Sequence, residues 1–557
     1  MSAFDYVIVG AGSAGCVLAH RLSADPTLRV LLVEAGGSDR SPLIRAPGGL
    51  LPIMMSGAYN WGYQSVPQKH LNDRVLYLPR GKVLGGSSST NGMVYCRGTR
   101  SDYDEWASLG NAGWSFAELL PYFKRAETHE LGESDYHGGS GPLRIGRPRV
   151  KHPLAVAFVE AGQQAGHPTN DDTNAGVREG FGPTDVTAWK GRRQSTAVAY
   201  LRPARSRPNL SVLTKSHATR VLFEGRRAVG VELRKRGSLR RVRAEREVIL
   251  AAGALNSPQL LMLSGVGDGR HLREHGIETL VDLAGVGQNL HDHLATHVKL
   301  RSRVPNSMFK YFGPVQGALA VGRYLAFRTG PLADPGMEAV AFVKSGPRLA
   351  DPDLKFHFLM ALYRNNGREL IPEHGFGVHI NAVKPRSTGR LRLASADPAS
   401  PPLIDQNYLA DPRDLDVMRA GIRIAREVFR QRAFDPYRGE ELDPGACAVS
   451  DSDLDASVRE KSEADYHSVG TCKMGNDPLA VVDDRLRVHG TQALRVVDAS
   501  VMPRIVSGNT NMATIMLAEK GSDLILGLPP LAAASFLAGG RPPAVRGGEA
   551  SPQGGVA

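Results

Sequence analysis

The chain has 557 residues, a formal net charge of +12 and a hydrophobic content of 42%. This length exceeds what one hydrophobic core of ordinary size supports, so we expect two domains or one domain with a large insertion. The composition is ordinary for a soluble globular enzyme. The positive charge comes mainly from arginines spread along the chain, and no nucleic-acid partner is expected.

The N-terminal segment predicts a nucleotide-binding βαβ unit. An apolar strand pattern leads to Gly10, Gly12 and Gly15, and a helix and a second strand that ends at Glu34 follow. Gly10 and Gly12 let the backbone approach a pyrophosphate, Gly15 lets the helix pack on the strand, and the helix N-terminus supplies N–H groups to the anion. Glu34 is placed to accept hydrogen bonds from an adenosine ribose. NAD and FAD both fit this unit.

The following segments predict further parts of the same domain. Residues 79–92 combine paired glycines with three consecutive serines, which indicates a backbone loop that wraps a polar ligand and then starts a helix. Strands are expected at 213–222 and 228–232, and the arginine-rich segment 234–243 is interpreted as a solvated β-hairpin rather than as a nucleic-acid or membrane patch. A strand at 247–253 leads into a helix, which makes a second βα unit.

The middle and the end of the chain differ in character. Residues 300–383 show alternating strand patterns without a βαβ rhythm, which favours an antiparallel sheet. A strand at 494–499 and a helix at 512–526 return to the first domain. The predicted fold is therefore α/β (α+β overall): a Rossmann-like nucleotide domain, discontinuous in sequence, and a substrate domain of antiparallel sheet and helices. Its predicted parts are 1–297 (with substrate-domain segments around 150–205), 298–383, 384–527 and a disordered tail at 528–557.

The cysteines and the apolar stretches of the sequence indicate the cellular compartment of the protein. The sequence has four widely spaced cysteines: Cys16, Cys96, Cys447 and Cys472. They show no metal-ligand spacing, which predicts reduced thiols in a cytoplasmic protein. No signal peptide is recognised, and the longest apolar stretch, 524–538, is shorter than the ~20 residues of a membrane span. A basic surface is compatible with peripheral contact at the inner membrane.

Three groups of segments carry a resemblance to a known family. They are 81–91, 253–267, and 466–475 together with 497–503 and 508–512. With the opening glycine turn, and in this order, they resemble the glucose–methanol–choline (GMC) family of FAD-dependent oxidoreductases over about residues 4–527. The resemblance implies FAD as the cofactor. Thr90 stands where choline oxidases have the histidine that bonds covalently to the flavin, so we expect non-covalent FAD.

The resemblance also implies which residues contact FAD. These are Gly10, Ala11, Gly12, Ser13, Ala14, Gly15, Glu34, Ala35, Val83, Gly86, Ser87, Asn91, Gly92, Met93, Val94, Ala218, Asp498 and Ala499. Asp498 also fits the role of a helix cap, and the two roles are compatible.

Alcohol oxidation needs a base for the hydroxyl proton and an acceptor for the hydride. The flavin N5 accepts the hydride. By resemblance, His467 is the base and Asn511 its neutral partner, which would hydrogen-bond the substrate oxygen. His291, His293 and His297 superficially suggest a metal, but their segment resembles a family segment that links the two domains, so no metal is expected.

The predicted activity is oxidation of a primary alcohol to an aldehyde, with choline as the specific alternative. Glu338 is a candidate for binding the choline trimethylammonium, although a structural carboxylate is at least as consistent with the sequence. A hydroxynitrile-lyase-like member and a NAD(P)-dependent dehydrogenase stay as alternatives. The electron acceptor (quinone, carrier protein or oxygen) and the oligomeric state are left open.

Overall fold

The computed structural model describes residues 3–148 and 150–535. Its first sheet is built around short strands that are buried on both faces, such as Val30–Val33, which is why their sequences are continuously apolar. The strand order is Leu210–Leu213, Val30–Val33, Ala3–Val9, Ser238–Leu250, Arg227–Lys235 and His217–Glu224, and Leu494–Val496 also pairs with Ser238–Leu250. The pairs made by Ala3–Val9 are parallel, whereas the last three strands are antiparallel.

Both ends of the chain contribute to this first domain. Helix Ser13–Leu22 packs against helix Thr510–Leu526, and strand Leu494–Val496 lies beside a strand from the middle of the sequence. The predicted discontinuous Rossmann-like domain is therefore confirmed. The hairpin expected at 234–243 is also present, with Lys235 opposite Ser238 at its tip.

The second sheet is antiparallel, as predicted, but it draws strands from beyond 298–383. Its order is Arg438–Asp443, Leu294–Ser302, Gly375–Ala382, Leu354–Leu359, Ala339–Val343 and Gly180–Pro183, and Glu463–Ala464 also pairs with Leu294–Ser302. A boundary between 297 and 298 would cut strand Leu294–Ser302. The second domain is thus assembled from several segments, because antiparallel strands distant in sequence can pair side by side.

Helices cover the two sheets and join them. The longer ones, besides those named above, are Arg100–Ser108, Phe116–Ala126, Pro153–Gln164, Gly253–Leu263, Pro314–Phe327, Pro412–Arg430 and Asp451–Lys461. Shorter α-helices span Pro42–Arg45, Leu50–Ser56, Arg202–Ala204 and Gly269–Glu274. The serine-rich loop starts no α-helix, contrary to expectation; it contains one 3-10 turn, Gly86–Ser89, since its consecutive glycines and serines favour a tight turn.

The two-stranded sheets are small. They pair Tyr63–Gln64 with Tyr77–Leu78, Glu127–His129 with Leu143–Ile145, Ala188–Trp189 with Arg192–Arg193, Val266–Gly267 with Val281–Asp282, Tyr363–Arg364 with Glu369–Leu370, and Arg390–Arg392 with Leu403–Asp405. All four cysteines are free thiols. Within the described ranges, no helix is long and apolar enough to cross a membrane.

The start of the predicted tail is ordered. Leu531 N–H donates to the Tyr122 hydroxyl and Ala534 N–H donates to the Ala117 carbonyl, so residues 528–535 pack on helix Phe116–Ala126. This corrects the expectation of disorder from 528. Residues 536–557 of the predicted tail lie outside the described residues.

Candidate active site

The opening glycine turn forms one end of a large cavity. Gly10 has φ +101°, and a Cβ there would lie 2.5 Å from the Ala251 carbonyl oxygen. A Cβ on Gly15 would lie 1.8 Å from the Gly10 carbonyl oxygen, so this glycine allows the close helix–strand packing predicted for it. Helix Ser13–Leu22 begins without a side-chain cap and without an acidic residue in its first turn. Its first N–H groups are therefore available to an anion.

Glu34 closes this end of the cavity. Its carboxylate accepts hydrogen bonds from Ala11 N–H (2.9 Å) and Gly36 N–H (2.7 Å). Burial raises the pKa of Glu34 to about 7, although these two N–H groups oppose the rise. The carboxylate is thus fixed at the end of strand Val30–Val33, as the sequence predicts for a residue that binds ribose.

The serine-rich loop lies directly against the glycine turn. A Cβ on Gly86 would lie 2.7 Å from the Gly12 Cα, and Gly85 N–H donates to the Ala11 carbonyl over 2.7 Å. Two motifs far apart in sequence thereby form one backbone cradle. This contact requires that Gly86 carry no side chain, whereas a Cβ on Gly12 would lie at an ordinary 4.0 Å from the Gly86 Cα.

The cavity has a volume of about 730 Å³ and extends from this cradle to His467. Most of the predicted FAD contacts line it: Gly10, Gly12, Ser13, Ala14, Glu34, Ala35, Gly86, Ser87, Asn91, Gly92, Met93, Val94, Ala218, Asp498 and Ala499. Ala11, Gly15 and Val83 are not among the lining residues. They support the wall from behind, since Ala11 N–H holds Glu34 and Val83 is fully buried.

Asp498 lines the cavity and also accepts hydrogen bonds from other segments of the protein. Its carboxylate accepts hydrogen bonds from Gly253 N–H (2.8 Å), the Ser257 hydroxyl (2.5 Å) and Ser500 N–H (2.8 Å). These contacts join the two signature segments around Gly253 and Asp498 and confirm the capping role considered for it. Asp498 also lines the cavity, and its contact with the flavin stays a prediction.

His467 lies at the far end of the cavity, with its side chain 11% exposed. Asp292 holds the adjoining backbone, accepting hydrogen bonds from His467 N–H (2.6 Å) and the Ser468 hydroxyl (2.8 Å). The preceding residue, Tyr466, has φ +64°, a conformation that a non-glycine residue adopts only when its surroundings impose it. The imidazole is therefore placed by contacts from several segments.

The neutral partner of His467 is Asn509 and not Asn511. The Asn509 amide nitrogen lies 3.0 Å from His467 Nε2, whereas the Asn511 amide oxygen accepts a hydrogen bond from the Ser13 hydroxyl at 2.6 Å. The prediction of Asn511 as the partner is thus corrected. Asn511 is the second residue of helix Thr510–Leu526, where the helical turn directs its side chain to the glycine-turn side of the cavity.

Hydrogen bonds on both sides of the ring determine the tautomer of His467. The buried Lys355 ammonium donates to the Asn509 amide oxygen, so the Asn509 NH₂ group faces His467 Nε2, which must accept. On the other side, His293 Nε2 lies 3.2 Å from the Val383 carbonyl oxygen and must donate to it. Burial lowers the pKa of His293 well below its ordinary value, so His293 is neutral and its Nδ1 accepts.

It follows that His467 carries its proton on Nδ1, which lies 3.0 Å from His293 Nδ1. His467 Nε2 therefore carries no proton, which is the state a general base needs, and it accepts from the Asn509 NH₂ group at the cavity wall. Asp465 Oδ2 also lies 3.0 Å from His467 Nδ1, but without the alignment of a hydrogen bond. Burial alone would raise the pKa of Asp465; the neighbouring histidines outweigh it and hold that pKa well below its ordinary value.

Four residues of this group had no predicted role at the site: Asn509, Lys355, His293 and Asp465. Asn509 and Asp465 are two residues from assigned positions, so local motifs could have suggested them. Lys355 and His293 carried no local signal for this role. Their contribution depends on strand Leu354–Leu359 and the segment before strand Leu294–Ser302 meeting at His467.

Glu338 and the histidines considered for a metal are the other candidates from the sequence. Glu338 is absent from the cavity lining; its carboxylate accepts hydrogen bonds from the N–H groups of Lys151 and His152, both at 2.9 Å. It is therefore a structural carboxylate. Of the histidines weighed for a metal, His293 joins Asp465 and His467, with ligand atoms within 4.8 Å, and its nitrogens already make the hydrogen bonds described above.

Comparisons with known proteins agree with this geometry. Residues 4–295 and 385–518 match the family described as GMC oxidoreductase. The chain belongs to the GMC oxidoreductase family. It is 46% identical over 530 residues to the oxygen-dependent choline dehydrogenase of Sinorhizobium fredii, covering 95% of this chain and 96% of that protein. It is 47% identical over 537 residues to the human mitochondrial choline dehydrogenase, covering 95% and 90%.

Solved structures of other oxidases have the same fold. A pyridoxine 4-oxidase from Mesorbium loti matches with a TM-score of 0.85 and 32% identity, covering 93% of this chain and 98% of that one. A formate oxidase from Aspergillus oryzae matches with a TM-score of 0.88 and 29% identity, covering 94% and 98%. The chain is thus a GMC oxidoreductase that acts on CH–OH groups, and FAD is its expected cofactor. The cradle at Gly12 and Gly86 and the uncapped helix fit that cofactor.

Proposed function

We propose that this GMC oxidoreductase oxidises choline or a closely related amino alcohol to the aldehyde, using non-covalent FAD. The observation that carries the choice of substrate is the composition of the cavity wall around His467. Glu463, Asp465 and Tyr466 all line it. Carboxylates and aromatic faces are the groups that bind a trimethylammonium. The names of the two choline dehydrogenases reported above support the same choice.

Other aromatic residues of the cavity are less suited to hold a cationic substrate. The Lys82 ammonium lies 4.3 Å from the ring centroid of Trp61, and the Arg368 guanidinium lies 4.4 Å from that of Tyr77. Their ring faces already have cationic partners. Glu463 and Tyr466, which line the cavity together with His467, are therefore the better candidates for the trimethylammonium.

The residues around His467 support a mechanism for proton removal. His467 Nε2 takes the hydroxyl proton, while the Asn509 NH₂ group donates to the substrate oxygen and stabilises its developing charge. The protonated imidazole is stabilised by the Asp465 carboxylate 3.0 Å from Nδ1. The bound FAD supplies the acceptor for the hydride. The largely buried site keeps bulk water from the reacting atoms.

The non-covalent state of FAD rests on the residues that line the cavity. Thr90 lines it at the position where a linking histidine was considered, and the described lining residues include no cysteine. We expect acid denaturation to release all the flavin into the supernatant. Flavin that stays with the precipitated chain would contradict this proposal.

Anaerobic stopped-flow reduction tests the activity and the substrate together. Choline should bleach the flavin absorbance at least ten times more efficiently than its neutral isostere, in which carbon replaces the nitrogen. The Glu463→Gln variant should lose most of that preference while it still reduces with simple alcohols. Equal efficiency with both compounds would overturn the choline assignment, and no bleaching by any alcohol would favour a redox-silent lyase.

A further inference from the structure

The helix Pro314–Phe327, which we call the apolar helix, leaves most of its surface uncovered. Of its fourteen residues, only Ala320 and Tyr324 are buried. Six apolar side chains on it and just before it are 44–73% exposed: Phe312, Val315, Leu319, Val321, Leu325 and Phe327. Pairs four residues apart, such as Val315 with Leu319 and Val321 with Leu325, lie along the same side of a helix. A contiguous apolar patch of this kind indicates a contact surface.

The charged residues in the segment that contains the apolar helix are all basic. Between Asp292 and Asp334 the sequence contains no acidic residue. Lys310, Arg323 and Arg328 flank the apolar side chains, and none of them forms an ion pair with the residues that the structure describes. Tyr324 anchors the helix to Gly191, whose neighbours Lys190 and Arg192 are exposed and basic. The surface therefore combines an apolar centre with an uncompensated basic rim.

The other arginine-rich surface, the hairpin at 234–243, lacks this combination. Three of its arginines are paired with acids, Arg234 with Asp397 at 3.7 Å, Arg241 with Glu232 at 3.4 Å and Arg243 with Glu224 at 3.3 Å, whereas Lys235, Arg236 and Arg240 form no ion pair with the described residues. Leu239 is its large exposed apolar side chain. The hairpin therefore carries positive charge but presents one large apolar side chain, against the six at the apolar helix, and so has little apolar surface to enter a bilayer.

The apolar helix is also part of the active-site cavity. Gly317, Ala320 and Val321 line that cavity together with Tyr311 and Phe312. Val321 and Phe312 are exposed as well as lining, so the cavity reaches the surface of the protein at this helix. Whatever covers the apolar helix therefore lies beside the entrance to the active site.

We propose that the apolar helix is the surface by which this protein docks on a bilayer that contains anionic lipid. Leu319, Leu325 and their neighbours enter the interfacial region, and Lys310, Arg323 and Arg328 contact the anionic headgroups. A second copy of the chain fits less well, because a twofold contact would bring two basic rims together with no acid in the segment to pair them. The helix lies on the membrane and does not cross it.

Vesicle sedimentation of the full-length holoenzyme tests this proposal. Vesicles of phosphatidylcholine with about 30% phosphatidylglycerol, at about 0.1 M salt, should pellet the protein, and pure phosphatidylcholine should pellet much less. The double variant Leu319→Gln, Leu325→Gln should bind at least tenfold more weakly. The matched control Leu239→Gln, Val449→Gln replaces equally exposed apolar side chains elsewhere and should bind like the parent.

The readout does not depend on turnover, so it separates docking from the proposed activity. Unchanged melting temperature and flavin content of both double variants exclude unfolding as the cause of lost binding. Failure of the parent to bind anionic vesicles, or equal loss in the control, would overturn the proposal. So would light scattering that shows a dimer which the Leu319 and Leu325 substitutions dissociate, because the partner would then be a second copy.

Discussion

Replacing Lys355 by Met tests the hydrogen bonds that orient Asn509 toward His467. The substitution removes the donor to the Asn509 amide oxygen and leaves a side chain of similar length. A hydrogen bond to a charged group contributes about 1.5–3 kcal/mol. Because Lys355 can donate only to the Asn509 oxygen, this energy favours the amide orientation in which the NH₂ group faces His467. Without it the amide can turn, so flavin reduction by choline should slow roughly 10- to 150-fold.

The same substitution has an effect on stability that depends on pH. Burial lowers the pKa of Lys355 from 10.5 to about 8. Between these values the unfolded chain holds a proton that the folded protein has released, so the stability of the parent rises with pH there. Below pH 8 the Lys355 side chain is charged in both the folded and the unfolded protein. Burial of this charge then lowers the free energy of unfolding of the parent by its full amount, about 3 kcal/mol. Any stability advantage of Lys355→Met at pH 7 should therefore shrink by about 2 kcal/mol at pH 9.5.

Two measurements check this reasoning: anaerobic stopped-flow reduction, and melting temperatures of parent and variant at the two pH values with a fixed scan rate. In a protein of this size, about 2 kcal/mol corresponds to a change of only about 2 °C in the melting-temperature difference. Lys299→Met is the matched control, since Lys299 lies on the neighbouring part of the sheet and pairs with Asp443 at 3.4 Å. Lys355→Met that reduces at the parent rate, with a melting-temperature difference independent of pH, would refute the assigned role.

Four further substitutions test these assignments. His467→Ala should slow flavin reduction roughly 10²- to 10⁴-fold while FAD stays bound; reduction at the parent rate would remove the base assignment. Asn509→Ala should slow reduction with little effect on FAD affinity, whereas Asn511→Ala should weaken FAD binding first; stopped-flow reduction and flavin titration of the apoprotein separate the two, and the opposite pattern would restore Asn511 as the partner. Glu338→Gln should lower the free energy of unfolding by about 1–3 kcal/mol and leave the KM for choline unchanged, because its carboxylate holds two backbone N–H groups; a raised KM would place it in substrate binding.

Local sequence patterns were sufficient where backbone geometry demands a particular residue. Gly10 and Gly15 are required by positive φ and by close packing, and Glu34 follows from its place at the end of a strand. The cradle at Gly86 and the discontinuous first domain were also predictable, since the segments that form them carry recognisable motifs. The full extent of the second sheet was not: strand Gly180–Pro183 falls in the segment around 150–205 that was assigned to the substrate domain, but Arg438–Asp443 and Glu463–Ala464 are short and join the sheet only through long-range pairing.

By itself, the sequence determined the family, the nucleotide end of the cavity and the position of His467. The tertiary structure decided which side chains surround that histidine. Asn509 and Asn511 lie in one short motif, and the sequence alone does not distinguish their roles. Because a helix starts at Thr510, their side chains point in different directions, so Asn509 contacts His467 and Asn511 contacts Ser13. The contribution of Lys355 depends on a strand distant in sequence, because a buried charge acts through contacts that form only when the chain folds.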